Sequence, residues 1–525
     1  MLGRGRSTLA NWGLLLVFAA LAWRAVRYAL VFPMWGDEGM LAVNFYDRTF
    51  LGLLDTLDYG QVAPPGFLWL ELGASRLFGF TEPALRLVPF LAGAASVVLF
   101  WKLSRKLLDH RSALLSMAVF AASFYPTRYA AEVKPYSLDL LLALVILLAA
   151  WALHEQPRAT GRWVAFGALA AASAWLSYPS IFVSGGACLW LLADGSGAAG
   201  HRQWGRILAV GSVILASFLA MYLLAGSGQR AAAPASYWSA GFPPMSEPWK
   251  IPLWALDVHT GMMLAYPNGG HSGGSTVSFL LAVAGGTVLW RTRRAALLLL
   301  LSPLPLMFLA AALQKYPYGA SARVAQHVAP AACLLIGTGI VCVLRKVLGA
   351  RRTVRAIPIT VLPLLVVVIA GIARDVVRPY HSQADVIVRD VFSELSRRAV
   401  PGDRWLVYAS RDDSGVAPRY SKFVGMGGRI HFQILSHAPG PVLWAPAPSS
   451  IAPELGGRTW LIAYGNRVFE PDRARWEAYV REVSESVGEA AVVERHDLPD
   501  REWIEVVRFV SWKGRLAQPA VGTPP

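Results

Sequence analysis

Long apolar stretches separated by short polar clusters recur up to about residue 373, and there the pattern stops. The stretches lie at 9–32, 84–101, 112–127, 137–153, 162–178, 179–194, 206–225, 275–290, 295–313, 325–344 and 356–373. Runs of about 17–25 apolar residues have the length that crosses a bilayer as a helix. The pattern therefore predicts a polytopic α-helical membrane protein with about eleven transmembrane helices. Residues 63–78 are also apolar, but they are few and include Pro64, Pro65 and Glu71. They read as a helix lying in the interfacial plane, inside a long first outer loop of residues 33–83.

Beyond Arg374 acids and bases return in mixed order. Residues 385–398 have helical periodicity, with Val386, Val388, Val391, Phe392 and Leu395 apolar. Residues 404–409, 459–464, 490–494 and 503–510 read as strands and 471–487 as a helix. This alternation predicts a small C-terminal α/β domain of roughly 140 residues, so the expected division is 1–373 membrane-spanning and 374–525 accessory. The glycines at 425, 427 and 428 are too isolated to make a phosphate-binding fingerprint.

Charge sets the orientation. The chain has 525 residues, is 55% hydrophobic and 16% charged, and carries a formal charge of +16; its mean hydropathy is +0.43. Most of the basic excess sits in short loops between apolar runs, which argues against nucleic acid as a partner and for a bilayer. One set holds Arg4/Arg6, Lys102/Arg105/Lys106/Arg111, Arg158/Arg162, Arg202/Arg206, Arg291/Arg293/Arg294 and Arg345/Lys346/Arg351/Arg352/Arg355. The positive-inside rule makes that set cytoplasmic, which puts the N-terminus inside and the C-terminal domain outside. Reading 63–78 as a further span would reverse this and place Lys102 to Arg111 outside. Arg4, Arg6 and the apolar run after them resemble a secretory signal; the spans that follow make it a retained anchor. Cys188, Cys333 and Cys342 all lie in apolar runs and imply no disulfide framework.

Two polar clusters then stand out. Asp37 and Glu38 follow the first apolar run directly, and Arg128, Tyr129, Glu132, Lys134 and Tyr136 interrupt a later apolar region. Acids at the membrane edge are costly and read as functional. With the topology above, both clusters face outward together with Lys315, Tyr316, Tyr318 and Arg323. Asp37 is the candidate general base, its pKa expected to be raised by partial burial and a second acid. Glu38 is expected to share the role or orient an acceptor; acids at a helix N-terminus also serve as plain caps. Arg128, Lys134, Arg323 and Lys315 are candidate phosphate holders. Glu132 is expected to pair with Lys134 or bind sugar. Tyr129, Tyr136, Tyr316 and Tyr318 are candidate substrate contacts or members of the interfacial aromatic belt. Arg24 and Arg27, one turn apart in the first span, snorkel outward or point toward phosphate, the former being preferred. Asp257, His259 and His271 match no strong metal-ligand spacing, so no metal and no other cofactor is expected, with a divalent cation as the open alternative.

The acidic pair after the first span, the outer loop with Gln61-Val-Ala-Pro64-Pro65-Gly66, the Glu132-Val-Lys134-Pro135-Tyr136 run and the late Tyr316-Pro-Tyr-Gly-Ala-Ser-Ala-Arg323 together resemble the GT-C superfamily of membrane glycosyltransferases. Within it the likeness is to the bacterial protein-mannosyltransferase and aminoarabinose-transferase type, glycosyltransferase family 39 or 83, over roughly residues 1–340. Ala63 stands where the aminoarabinose-transferase pattern has a lysine before the paired prolines. The resemblance implies transfer of a sugar from a polyprenyl-phosphate donor to an acceptor (protein, lipid or polysaccharide) at the outer face of the bacterial cytoplasmic membrane, with Asp37 as the catalytic carboxylate. In-line displacement by one acceptor would make the enzyme inverting. A transporter or flippase of lipid-linked sugars is the rival reading. Transporters bind near the midplane between paired repeats, whereas these acids lie at span ends and no repeat is evident. A non-catalytic scaffold presenting the outer domain is a third reading.

Overall fold

The computed structural model describes residues 2–193, 200–232, 235–270, 274–408, 428–440, 442–444, 458–465, 473–499 and 502–511. Among the described residues, seven helices are long and apolar enough to cross a membrane: Asn11–Ala29, Leu87–Leu107, Tyr136–Glu155, Gln203–Gln229, Arg294–Ala312, Gln326–Thr353 and Arg355–Val377. The other expected spans also fall on helices, His110–Ala121, Thr160–Leu176, Ser180–Ala193 and Gly274–Thr292, which are outside that group of seven. The last two spans run on as Ala329–Val377, broken at Gly349, whose φ of 74° is a conformation that suits glycine. The apolar segment with two prolines forms a helix, Pro65–Phe78, of 14 residues. At 1.5 Å per residue it is too short to span.

Apolar lipid gives helices no hydrophobic reason to associate, so close packing must hold them together. The helices Gly274–Thr292 and Ala329–Val377 show how. A Cβ on Gly285 would overlap the Leu335 carbonyl, and one on Gly339 would overlap the Leu281 carbonyl. The absent side chains let two backbones touch, and Leu297, Leu299, Leu334 and Ile336 belong to the apolar core that these helices share.

Two arginines of the first span depart from both readings of the sequence. Arg24 does not snorkel: it is fully buried, donates to the Ala20 carbonyl at 3.0 Å and lies over the Phe120 ring. Arg27 points neither to solvent nor to a substrate space. Its guanidinium donates to Asp375 at 2.8 Å, and the Trp23 indole donates to the same carboxylate at 2.9 Å. The first span and the last are thereby clasped together.

The tail contains a five-stranded sheet in the order β2-β1-β3-β5-β4, with β1 Arg404–Tyr408, β2 Val442–Trp444, β3 Thr459–Gly465, β4 Gly488–Leu498 and β5 Glu502–Ser511. β1 is parallel to β2 and β3, while β5 runs antiparallel to β3 and β4. Trp405, Val407, Trp460, Ile462, Ile504 and Val506 meet Val388 and Phe392 of helix Gln383–Arg398 and Ile430 and Ile434 of helix Gly428–His437. Leu406, Leu461, Val507 and Phe509 face Trp476 and Val483 of helix Arg473–Val487 instead. Burial on both faces is why β1 and β3 read as unbroken apolar runs. The helix Gly428–His437 and strand β2 were not anticipated from the sequence. Residues 409 and 425–427, part of the predicted strand and of the glycine cluster, lie outside the described residues.

Candidate functional site

The first apolar helix is followed by Pro33-Met34-Trp35, and the next helix, Gly36–Ala42, carries Asp37 and Glu38 in its first turn. That turn favours negative charge, because its amide N–H groups lack helical partners. Successive residues on a helix diverge by about 100°, so the two acids go to different places.

Glu38 is 1% exposed and fully committed. Arg86 grips it with two bonds, Nε to Oε1 at 2.9 Å and Nη2 to Oε2 at 2.7 Å. The Val133 amide donates to Oε1 at 2.9 Å, and Arg86 also donates to the Phe32 carbonyl. This corrects the expectation of a catalytic Glu38. Its oxygens join the first outer loop to the start of helix Leu87–Leu107 and to the Glu132–Lys134 turn, so it positions its neighbour.

Asp37 keeps part of its side chain in the open, 26% exposed. Lys134 Nζ lies 3.1 Å from Oδ1 and Arg323 Nη1 lies 3.4 Å from Oδ2. Lys134 also donates to Gln61 Oε1 at 2.7 Å. Arg323 sits over the Trp238 ring, 4.7 Å from its centre. Burial alone would push the Asp37 carboxyl up, but the Lys134 ammonium, the Arg323 guanidinium and hydrogen bonds from Lys134 and Gln61 hold it below the usual carboxylate range. The expected upward shift is therefore corrected. The second acid that was to raise it is neutralised by Arg86.

Glu132 does not pair with Lys134 through its side chain. Its Oε1 accepts from Arg128 Nε at 2.5 Å, and Oε2 is buried with no hydrogen-bond partner. Arg128 is sandwiched by Trp35 and Tyr129, whose ring centres lie 5.4 and 5.8 Å away. Tyr129 is 5% exposed and packs edge-on to Tyr136.

Beside this cluster opens a cavity of about 1420 Å³, lined by Pro64, Pro135, Tyr136, Tyr178, Lys315 and Tyr316 among mostly apolar neighbours. Tyr136, Lys315 and Tyr316 thus reach a space that could hold substrate, while Tyr316 also donates to the Val324 carbonyl at 2.9 Å. Tyr318 does not. It is 6% exposed in an aromatic cluster with Trp254, Phe308 and His259. His259 Nδ1 lies 2.6 Å from the Ala255 carbonyl. Among the described residues no group of three or more His, Cys, Asp or Glu is placed to hold a metal; His271 lies outside them.

Sequence reasoning missed Arg86, Gln61 and Trp238. Arg86 did carry a signal, a lone charge inside the predicted span 84–101. Gln61 stood at the head of the run before the paired prolines without a role of its own, and Trp238 carried no signal; their partners lie 73 and 85 positions further along the chain.

Residues 62–224 match the model of the dolichyl-phosphate-mannose-protein mannosyltransferase family. No curated protein matches the chain. Among solved structures, ArnT from Cupriavidus metallidurans bound to undecaprenyl phosphate is 15% identical with a TM-score of 0.56, covering 97% of this chain and 99% of that one. The apo state of the same protein gives 15% identity and a TM-score of 0.54 over the same shares. The Archaeoglobus fulgidus oligosaccharyltransferase, solved with zinc and sulfate, is 14% identical with a TM-score of 0.48, covering 92% of this chain and 67% of that one. The resemblance read from the sequence is thus met by a match to the mannosyltransferase family model over residues 62–224 and by a fold shared with ArnT along nearly the whole length of the chain.

Proposed function

We propose that this protein transfers a sugar from a polyprenyl-phosphate donor to an acceptor hydroxyl at the outer face of the bacterial cytoplasmic membrane, with residues 1–373 as the catalytic part and 374–525 as an extracytoplasmic domain. The carrying observation is Asp37 held between Lys134 and Arg323 beside a cavity of about 1420 Å³ with mostly apolar walls. A lipid tail needs apolar walls, its phosphate needs cations, and an acceptor needs a base; here the three are neighbours. ArnT from Cupriavidus metallidurans, which shares the fold, is seen bound to undecaprenyl phosphate, which supports a carrier of that kind.

In this reading the donor seats its chain in the cavity and its phosphate against Lys134 and Arg323. Those cations are the ones that hold the Asp37 carboxyl down, so the phosphate competes for them and releases the carboxylate as it arrives. The acceptor oxygen then attacks the sugar C1, and the bond from C1 to the phosphate oxygen breaks. The hydroxyl proton passes to Asp37, and the phosphate leaves on its carrier. Attack opposite the leaving group inverts C1. Lys315, at the cavity lining, and the Arg128–Glu132 pair, packed under Trp35, complete the charged rim.

The test incubates purified protein with radiolabelled polyprenyl-phosphate mannose, glucose, galactose and aminoarabinose and follows label into product. Wild type is expected to transfer from one of them, and Asp37→Asn to lose about 10²–10⁴-fold. Full transfer by a correctly inserted Asp37→Asn protein would reject Asp37 as the base, and movement of donor across the bilayer without transfer would favour a flippase.

A further inference from the structure

The tail meets the membrane-spanning part at the short helix that bears Asp37. Gly39 lies against the start of helix Gly428–His437: a Cβ on Gly39 would overlap the Gly428 carbonyl and come within 2.8 Å of the Arg429 nitrogen. The contact is reciprocal. A Cβ on Gly428 would overlap the Met40 nitrogen and the Gly36 carbonyl and lie 2.6 Å from Met40 Cγ. Two backbones touch here with no side chain between them.

Polar contacts hold the chain on either side of that point. Before Asp37, Arg389 donates to the Val31 carbonyl at 2.8 Å and lies 3.4 Å from Glu82, which accepts from the Met34 amide at 3.0 Å and from Gln433 at 3.3 Å. The His381 ring packs against Trp35 at a tilt of 47°, with ring centres 4.8 Å apart. After Asp37, the Tyr59 hydroxyl lies 3.1 Å from His431 Nδ1. Phe432 and Leu435 enter the same apolar cluster as Leu41, Val43, Phe45 and Phe67.

We infer that the C-terminal domain is a positioning device for the candidate base: the Gly39–Gly428 contact sets the height of helix Gly36–Ala42, and so the distance from Asp37 to Lys134 and Arg323. No spare space remains to absorb even one methyl group, so a side chain at either glycine must lift the helix by roughly 1 Å, a displacement able to cost on the order of 10²-fold in rate. The inference deepens the proposed function and rests on Asp37 being the base.

The experiment compares Gly428→Ala, Gly39→Ala and Arg389→Gln, the last adding no bulk, in the full chain reconstituted in lipid nanodiscs. Gly440→Ala is the control, because its Cβ would lie 3.7 Å from the Asp403 carbonyl, an ordinary contact. Three quantities are read: hydrogen exchange of residues 36–42, kcat and KM with the panel donor that wild type uses, and the acidic limb of the pH–rate profile. Both alanine variants are expected to speed exchange of 36–42 at least about 10-fold while 65–78 stays unchanged. They are expected to lower kcat by about 10–100-fold with donor KM within about twofold.

The acidic limb should move upward, because Asp37 leaves the Lys134 ammonium and the Arg323 guanidinium while Gln61 and Tyr136 remain its neutral neighbours. Arg389→Gln should give the same changes at smaller size, and it decides the matter where an alanine variant does not fold. Faster exchange with kcat and the acidic limb unmoved would make the contact merely structural and overturn the inference. Unchanged exchange would overturn it directly. Full activity in Asp37→Asn would instead sink the base assignment, and the exchange result would still report on the contact.

Discussion

Asp37 and Glu38 are neighbours in sequence, yet the regions around them are built on opposite plans. Glu38 is sealed in, with Arg86 matching it oxygen for oxygen and the Val133 amide closing the remaining site. Asp37 is partly open, and its two cations stand at 3.1 and 3.4 Å on separate, distant parts of the chain. A buried pair with every bond made resists exchange of partners, because breaking it strands a charge in a poor solvent. A looser arrangement beside a cavity can trade one anion for another at little cost. One acid is built into the scaffold, and the other keeps part of its side chain open, as the proposed function requires of a base.

Several substitutions would break or sharpen that contrast. The largest effect on turnover is expected at Asp37, where Asn should cut kcat by about 10²–10⁴-fold with the thermal unfolding midpoint unmoved. On stability, Arg86→Met should be the most damaging, lowering unfolding free energy by about 3–5 kcal/mol because Glu38 is left buried and charged without its partner. Glu38→Gln in the same background should recover part of that loss, measured by thermal melts in detergent. Lys134→Met and Arg323→Met should each raise donor KM by about 10-fold, the worth of one charge-assisted bond.

The pH dependence follows from the direction of the Asp37 shift. A depressed pKa in the donor-free protein means the carboxylate is ionised through neutral pH, and kcat/KM should fall only as pH drops through a value below the usual carboxylate range. Lys134→Met removes the first-named stabilising charge, so its acidic limb should lie higher than that of wild type. The smallest effect is expected at Tyr318, whose hydroxyl meets only the His259 ring at 3.5 Å among the contacts described. Tyr318→Phe should leave kcat and donor KM within about twofold.

Much of this was legible in the order of residues. Each apolar run named a helix, because lipid-facing segments must satisfy their own backbone and so announce themselves by length. Pro64 and Pro65 marked the start of a helix that stays short. Loop parity placed Asp37, Lys134 and Arg323 on one face together with Arg128, Glu132 and Lys315, without telling which of them would touch. What stayed hidden depended on partners far along the chain. Nothing near Arg27 announces Asp375, nothing near Glu38 announces Arg86, and the upward shift expected at Asp37 failed because Lys134, Arg323 and Gln61 reach its carboxylate from distant parts of the chain. The helix Gly428–His437 was missed because its glycine was weighed only as part of a phosphate-binding cluster, whereas it lies where two backbones touch. Tyr318 looked like Tyr316 two positions before it, but its ring packs into an aromatic cluster with Trp254, Phe308 and His259.

The clasp of Arg27 and Trp23 onto Asp375 also bears on how the protein is made. Arg27 enters the bilayer with the first helix, while the carboxylate that neutralises it is synthesised 348 residues later. Until that last helix arrives, the Arg27 guanidinium lacks the carboxylate it donates to in the folded bundle, and an unpaired charge in a membrane span is costly. Closing the first span onto the last therefore waits until the end of the bundle has been made, and a chain cut before Asp375 lacks the contact that ties the helix ahead of Asp37 to the helix ahead of the C-terminal sheet.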